Sequence, residues 1–115
     1  MFALRWTDEA AAKYARLKEK AEAAIARRPT KSRRKSNRDE GLFKQVHKCV
    51  SLLAENPRHP GLQTHEFRSL PHPFVPGEKV FGAYAQNRTP GAYRIFWCYG
   101  PAPGEITILA ITPHP

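Results

Sequence analysis

The sequence predicts an α+β fold in which a strand and two helices precede a run of antiparallel strands. Residues 7–28 and 42–53 carry apolar side chains at intervals of three and four, the spacing of amphipathic helices. Residues 79–86, 92–99 and 105–112 are instead rich in β-branched and aromatic side chains, as strands are. Segments containing Pro and Gly join these strands, so the second half should form an antiparallel meander.

The first half is predicted to be an opening strand at residues 2–6 followed by a helical hairpin. The Thr7 hydroxyl can cap the first helix, because it can accept a hydrogen bond from a free amide of the first turn. The apolar stripe of this helix is Ala10, Tyr14, Leu17, Ala21, Ala24 and Ile25. The stripe of the second helix is Leu42, Phe43, Val46, Cys49, Val50 and Leu53. Pro57 stops the second helix, and the two stripes should pack together.

The strand at residues 92–99 is predicted to be the centre of the sheet. Side chains alternate across a strand, so Arg94 shares one face with Phe96 and Cys98, while Ile95 and Trp97 share the other. An arginine in an otherwise apolar strand either extends out of the core to solvent or points into a functional site.

Three further strands are predicted around this one. A short strand at residues 64–70 and a longer one at 79–86 precede it, and the last strand covers residues 105–112. Strict alternation in the last strand places Ile106, Ile108 and Ala110 on one face. The complete architecture is an N-terminal strand and a two-helix hairpin packed on an antiparallel sheet of three to four further strands.

The composition is that of a single basic domain spanning residues 1–115. A hydrophobic fraction of 41% in 115 residues is sufficient for one modest core. The net charge of +9 favours polyanionic partners, first nucleic acid and then an acidic protein, although such charge can also serve solubility alone. Much of it lies around residues 29–38, which contain no side chain suited to a core and are predicted to form a flexible basic loop.

The remaining sequence features exclude several classes of protein. Cys49 and Cys98 lack metal-ligand spacing and are expected to be buried thiols in a reducing cytosol. The histidines lack the spacing of a zinc site, and only His65 is a candidate for a cleft beside the sheet. No window reaches the roughly 18 consecutive apolar residues of a membrane span, and the N-terminus has no secretory-signal pattern. We therefore expect a cytoplasmic protein with no membrane association.

Four segments in the chain form a recognisable series. The second helix ends in the pattern Leu-x-x-x-Pro, residues 66–70 read Glu-Phe-Arg-Ser-Leu, residues 92–97 contain Tyr-Arg-Ile, and the last strand leads to His114. In this order, and over nearly the whole chain, they resemble the RelE/ParE superfamily of bacterial toxins. The basic loop at residues 29–38 is longer than the connection that the family has between its two helices.

The resemblance implies a toxin of a type II toxin–antitoxin pair, neutralised by an antitoxin peptide that wraps around it. The RelE-like branch cleaves mRNA in the ribosomal A site, whereas the ParE-like branch inhibits DNA gyrase and is not a nuclease. A RelE-like endoribonuclease that needs no metal or other cofactor is the favoured interpretation. The alternatives are a gyrase inhibitor of the ParE type and a non-catalytic basic nucleic-acid-binding protein. The oligomeric state is left open.

The resemblance also assigns catalytic candidates. Arg94 matches the superfamily's strand arginine and would clamp the scissile phosphate; its alternative is pairing with a carboxylate or with the antitoxin. His114 matches the terminal histidine of several ribonuclease members and would be an acid or base; its alternative is a frayed tail. Tyr84 could stack on a base or donate a proton, or could simply belong to the core.

Candidate RNA-binding side chains are spread over several segments. They are Arg88, Asn87, Lys79, Arg68, Arg33, Arg34 and Lys35. The third strand carries no carboxylate where RNA-cleaving relatives often have their base. The sequence therefore leaves the base either to His114 or to an unidentified group.

Overall fold

The computed structural model describes residues 1–27, 38–87 and 90–113. Its elements are β1 (Ala3–Trp6), α1 (Asp8–Arg27), α2 (Arg38–Glu55), a 3₁₀ turn (Pro60–Leu62), β2 (His65–Glu66), β3 (Phe81–Tyr84), β4 (Tyr93–Tyr99) and β5 (Glu105–Pro113). Apart from Arg38, which begins α2, the predicted basic loop lies outside the described residues.

The five strands form one mixed sheet in the order β1-β5-β4-β3-β2. Strand β1 pairs with β5 in parallel, and the other neighbouring strands are antiparallel. The predicted α+β class, with its N-terminal strand, helical hairpin and antiparallel meander, is confirmed. Strand β4 lies in the middle of the sheet, as its apolar sequence indicated.

The core lies between the two helices and one face of the sheet, which we call the inner face. Ile95 and Trp97 of β4 pack there with Leu17 of α1 and Val46 of α2. The predicted stripes include every buried apolar side chain of both helices, but they do not include the buried Glu40 of α2, and one predicted member is exposed. Ile25 is 54% exposed, so its assignment to the stripe of α1 was wrong.

A β-bulge in β5 changes which residues of that strand reach the core. Phe96 pairs with Ala110 but Trp97 pairs with Ile108, so Leu109 is an extra residue in the ladder. Because a bulge shifts the alternation by one position, Ile111 rather than Ala110 joins Ile108 in the core. The alternation predicted for residues 105–112 is thus correct before Leu109 and wrong after it.

Thr7 connects the start of α1 to this bulge. Its hydroxyl oxygen accepts a hydrogen bond from the Ala10 amide at 3.1 Å, which confirms the predicted N-cap. The same hydroxyl donates to the Leu109 carbonyl oxygen at 2.8 Å. The first helix is therefore fixed against the strand that is farthest from it in the sequence.

Strands β2 and β3 are shorter than predicted. Strand β2 comprises only His65 and Glu66, although the Phe67 amide still donates to the Val80 carbonyl oxygen at 2.8 Å. Beyond Phe67 the chain is rich in proline, which lacks an amide hydrogen and cannot extend a ladder. The predicted strands at 64–70 and 79–86 therefore shrink to a short pairing.

Both cysteines are free and buried, as expected. Burial raises the pKa of the Cys49 thiol to about 12 and that of the Cys98 thiol to about 11. Neither helix of the described chain is both long and apolar enough to cross a bilayer.

Candidate active site on the outer face of the sheet

The site is built around Arg94, which projects from β4 on the side turned away from the helices. We call this side the outer face. In register, Arg94 lies between Tyr84 of β3 and Thr112 of β5. It is only 9% exposed, and its Nε atom has no hydrogen-bond partner within residues 1–27, 38–87 and 90–113. Among the described residues no carboxylate lies within ion-pair distance of it.

Two phenylalanine rings hold the guanidinium group. Its central carbon, Cζ, lies 5.2 Å from the ring centroid of Phe96 and 5.9 Å from that of Phe67. The two rings are themselves stacked, with centroids 4.3 Å apart. Cation–π contacts of this kind attract a guanidinium but do not neutralise its charge. Arg94 is therefore a desolvated cation, and an anion that reached it would interact more strongly than one at the open surface.

His65 lies beside this pair of rings because Gly82, its partner across the β2–β3 ladder, has no side chain. A Cβ atom built on Gly82 would lie 3.1 Å from His65 Cε1, 3.2 Å from His65 Nε2 and 3.3 Å from Phe96 Cε1. The imidazole ring and the Phe96 ring thus share the space that a larger residue would fill. The absence of a side chain at position 82 is what allows His65 to lie flat against the sheet.

The orientation of the His65 ring is fixed by the backbone. Its Nδ1 atom lies 3.2 Å from the Gln63 carbonyl oxygen, and because a carbonyl only accepts, Nδ1 is the donor. In the neutral ring the lone pair is then on Nε2. This atom is therefore the proton acceptor of the ring.

Tyr84 completes the group of outer-face side chains. Its ring stacks on His65, with centroids 5.4 Å apart and an interplanar angle of 27°. It is half-buried and is not among the residues that pack in the helix-side core. Tyr84 also lines a groove of about 400 Å³ between α2, the 3₁₀ turn and the edge of β3.

The predicted RNA-binding residues are not all brought together. Asn87 is exposed and lines the groove beside Tyr84. Arg68 is 87% exposed, with its Nε atom 3.5 Å from a carboxylate oxygen of Glu66. Lys79 precedes β3, whereas Tyr84 is the last residue of that strand, so Lys79 lies toward the opposite end of the sheet from Arg94.

The other predicted site residues lie outside the described part of the chain. They are His114, Arg88, Arg33, Arg34 and Lys35. Their assigned roles remain predictions from the sequence.

Two side chains at this site, Phe67 and His65, had no catalytic or binding role assigned from the sequence, although His65 was a candidate for a cleft. The alternation of β4 indicated that Phe96 lies beside Arg94, but it gave no reason to expect Phe67 there. The position of His65 depends on the register between β2 and β3, and the long segment between those strands conceals that register in the sequence. In the described part of the chain, no three His, Cys, Asp or Glu side chains converge as metal ligands would.

The fold resembles solved bacterial and archaeal toxin structures. The chain superposes on the YoeB/ParE toxin of Agrobacterium tumefaciens with a TM-score of 0.60 and 8% identity, over 97% of this chain and 98% of that one. For the YoeB dimer of Staphylococcus aureus the TM-score is 0.59 and the sequence identity is 10%, and the match covers 99% of this chain and 98% of that one. For the archaeal RelE–RelB complex from Pyrococcus horikoshii OT3 the TM-score is 0.55 and the sequence identity is 10%, and the match covers 97% of this chain and 93% of that one.

By sequence, no family model and no curated protein matches this chain. Because the coverage is nearly complete on both sides, the likeness extends to the whole domain. The resemblance inferred from four short segments is confirmed at the level of the fold. The chain shares its fold with these YoeB/ParE and RelE toxin structures.

Proposed function

We propose that this protein is the toxin of a toxin–antitoxin pair and that it is an endoribonuclease acting on ribosome-bound mRNA. The observation that carries the proposal is the buried Arg94 on the outer face, which has no ion-pair partner in the described part of the chain. An uncompensated charge in such a position costs stability, so a functional reason for its presence is expected. A phosphodiester of RNA has the charge and the oxygen geometry that a guanidinium recognises.

The proposed reaction needs only groups of the protein and of the RNA. The ribose 2′-oxygen attacks the adjacent phosphorus as its proton passes to a base, and the bond from phosphorus to the 5′-oxygen breaks. An acid protonates the departing 5′-oxygen, so the products are a 2′,3′-cyclic phosphate and a 5′-hydroxyl end. Arg94 stabilises the negative charge on the pentacoordinate phosphorus. His114 is proposed as an acid–base group, and Tyr84 contributes stacking or a proton.

The proposed partners follow from charge and from the structural relatives. The archaeal relative was solved as a RelE–RelB complex, and a cognate antitoxin is proposed for this chain as well. The net charge of +9 favours an acidic antitoxin and ribosomal RNA alike, and the proposed site of action is the cytoplasm. Arg68, Asn87, Lys79, Arg88 and the basic cluster Arg33, Arg34 and Lys35 would contact phosphates, so binding should weaken steeply as salt rises.

The test is cleavage of ribosome-bound mRNA by the wild-type protein and by Arg94→Ala. We expect the variant to lose cleavage by about 10²-fold or more, the usual effect of removing a group that stabilises transition-state charge. Arg94→Lys should remain strongly impaired, because an ammonium group lacks the guanidinium's paired donors. Arg5→Ala, an exposed arginine of β1, is the matched control and should cleave normally.

Other results would lead to other functions. Wild-type activity in Arg94→Ala would remove the basis of the proposed site. Intact mRNA together with blocked DNA supercoiling would identify a gyrase inhibitor. Intact mRNA with salt-sensitive RNA binding would identify a non-catalytic nucleic-acid-binding protein.

A further inference from the structure

The proposed reaction requires a base near Arg94, and β3 does not provide one. Its four residues are Phe81, Gly82, Ala83 and Tyr84, none of which is a carboxylate or an imidazole. Arg94 itself cannot be the base, because a guanidinium stays protonated in proteins. The base must therefore come from a neighbouring element on the outer face. This inference rests on the proposed function.

Strand β2 places an imidazole at the required location. The Gln63 carbonyl accepts the Nδ1 hydrogen of His65, so that the lone pair of the neutral ring is on Nε2. Gln63 has a left-handed backbone conformation, with φ of 48° and ψ of 42°, at the end of the 3₁₀ turn. Tyr84 stacks on the ring from the neighbouring strand. The ring is thus oriented by a hydrogen bond and by a stacking contact before any substrate binds.

The imidazole and the guanidinium border the same phenylalanine. A Cβ atom built on Gly82 would lie 3.2 Å from the His65 Nε2 atom and 3.3 Å from the Phe96 Cε1 atom, so these two atoms border the same small space. The guanidinium Cζ lies 5.2 Å from the centroid of that ring. A phosphodiester held by Arg94 would therefore have its ribose next to an oriented proton acceptor.

We propose that His65 is the general base of this site. Its Nε2 lone pair takes the proton of the ribose 2′-hydroxyl while the 2′-oxygen forms its bond to phosphorus, and His65 becomes an imidazolium. The bond to the 5′-oxygen breaks, and a separate acid protonates that oxygen. Gly82 has a positioning role, because it leaves the space in which the ring lies. The substrate class is RNA, since DNA lacks the attacking hydroxyl.

The first experiment compares wild-type protein with His65→Gln on ribosome-bound mRNA. Glutamine keeps a polar side chain but cannot take up a proton, so we expect kcat to fall by about 10²- to 10⁴-fold. Binding of an RNA whose 2′-hydroxyl is removed at the cleavage site should stay close to that of the wild type, since the phosphate clamp is intact. The acid limb of the wild-type pH–rate profile should disappear. His47→Gln, an exposed histidine of α2 that contacts Tyr14, is the matched control.

Two further variants separate a catalytic role from a structural one. His65→Ala should regain activity when free imidazole is added, and the regained rate should increase with the fraction of imidazole that is neutral. Gly82→Ala would place a methyl group 3.1 Å from His65 Cε1, so it should lower kcat while preserving RNA binding. A purely structural histidine would give neither imidazole rescue nor an altered pH profile.

The outcomes for His65 and for the proposed function are distinct. If Arg94→Ala is inactive but His65→Gln cleaves like the wild type with an unchanged pH profile, the nuclease stands and the role of His65 is refuted. If wild-type protein leaves ribosome-bound mRNA intact, both proposals fall. Loss of cleavage in both variants, with imidazole rescue in His65→Ala, supports both.

Discussion

The two faces of β4 are both buried, but they are buried in different ways. On the inner face Ile95 and Trp97 are 0% and 1% exposed and pack against the helices. On the outer face Arg94 is 9% exposed and Phe96 is 4% exposed. Aromatic rings pack beside both, and none of the carboxylates that the structure describes forms an ion pair with Arg94. The inner face is apolar except for the indole N–H of Trp97, which has no hydrogen-bond partner among the described residues, whereas the outer face retains the electrostatic cost of a buried charge. The comparison suggests that the outer face is shaped for a ligand and the inner face for folding.

The largest expected effect on stability belongs to the inner face. Trp97→Ala should lower the free energy of unfolding by about 3–5 kcal/mol, because it removes a large ring from a closed core. Denaturation in guanidinium chloride measures the change. Phe74→Ala is the control, since Phe74 is 46% exposed and its loss should cost much less. Equal losses in the two variants would contradict the assignment of the core to the inner face.

The outer face should respond in the opposite way. Arg94→Met replaces a desolvated, unpaired guanidinium by an apolar chain of similar length, so the free energy of unfolding should stay within about 1 kcal/mol of the wild type or increase. Cleavage should nevertheless be lost. The same denaturation and cleavage assays report both properties. A loss of more than about 2 kcal/mol would show that the aromatic contacts of Arg94 stabilise the fold more than its burial destabilises it.

The smallest effect is expected at the far edge of the sheet, where Arg5 of β1 pairs with Glu105 of β5. The Arg5 Nε atom lies 2.6 Å from the Glu105 carboxylate, and this hydrogen bond holds the pKa of that carboxyl below its ordinary value. A carboxyl with a lowered pKa contributes stability above its ordinary pKa of about 4.3, and this contribution is lost as the pH falls through the folded-state pKa. The wild type should therefore be slightly more stable than Arg5→Ala at pH 7, and the difference should vanish in acid.

Thermal unfolding of the wild type and of Arg5→Ala, measured from about pH 3 to about pH 7, would test this expectation. Arg58→Ala is a suitable control, because within the described residues Arg58 makes no ion pair. A constant difference between wild type and Arg5→Ala over the whole pH range would mean that the pair does not act through Glu105 ionisation.

The contrast between the faces also explains how far the sequence could predict the structure. Helix stripes and strand alternation report burial against a continuous core, so they correctly placed Leu17, Val46, Ile95 and Trp97. They could not reveal the bulge at Leu109, because one extra residue in a ladder leaves no mark in an apolar strand.

The candidate site was predictable only in part. The charge in an apolar strand marked Arg94, and alternation placed Phe96 beside it. His65 and Phe67 reach the site through the pairing of a two-residue strand, and neither their periodicity nor their composition predicts that pairing. In the structure Tyr84 pairs with Arg94, but its stacking on His65 depends on the same pairing of β2 with β3.

The parallel pairing of β1 with β5 has a consequence for co-translational folding. Translation produces β1 first among the described strands and β5 last, and the Thr7–Leu109 hydrogen bond joins residues 102 positions apart. A nascent chain that has exposed β1, α1 and α2 therefore still lacks β5, the strand that both β1 and α1 contact. Because contacts so distant in sequence form slowly, closure of this edge should be a late event in the life of the new molecule. Strand β5, which pairs with β4 beside Arg94, is therefore the last described strand of the candidate site to be synthesised.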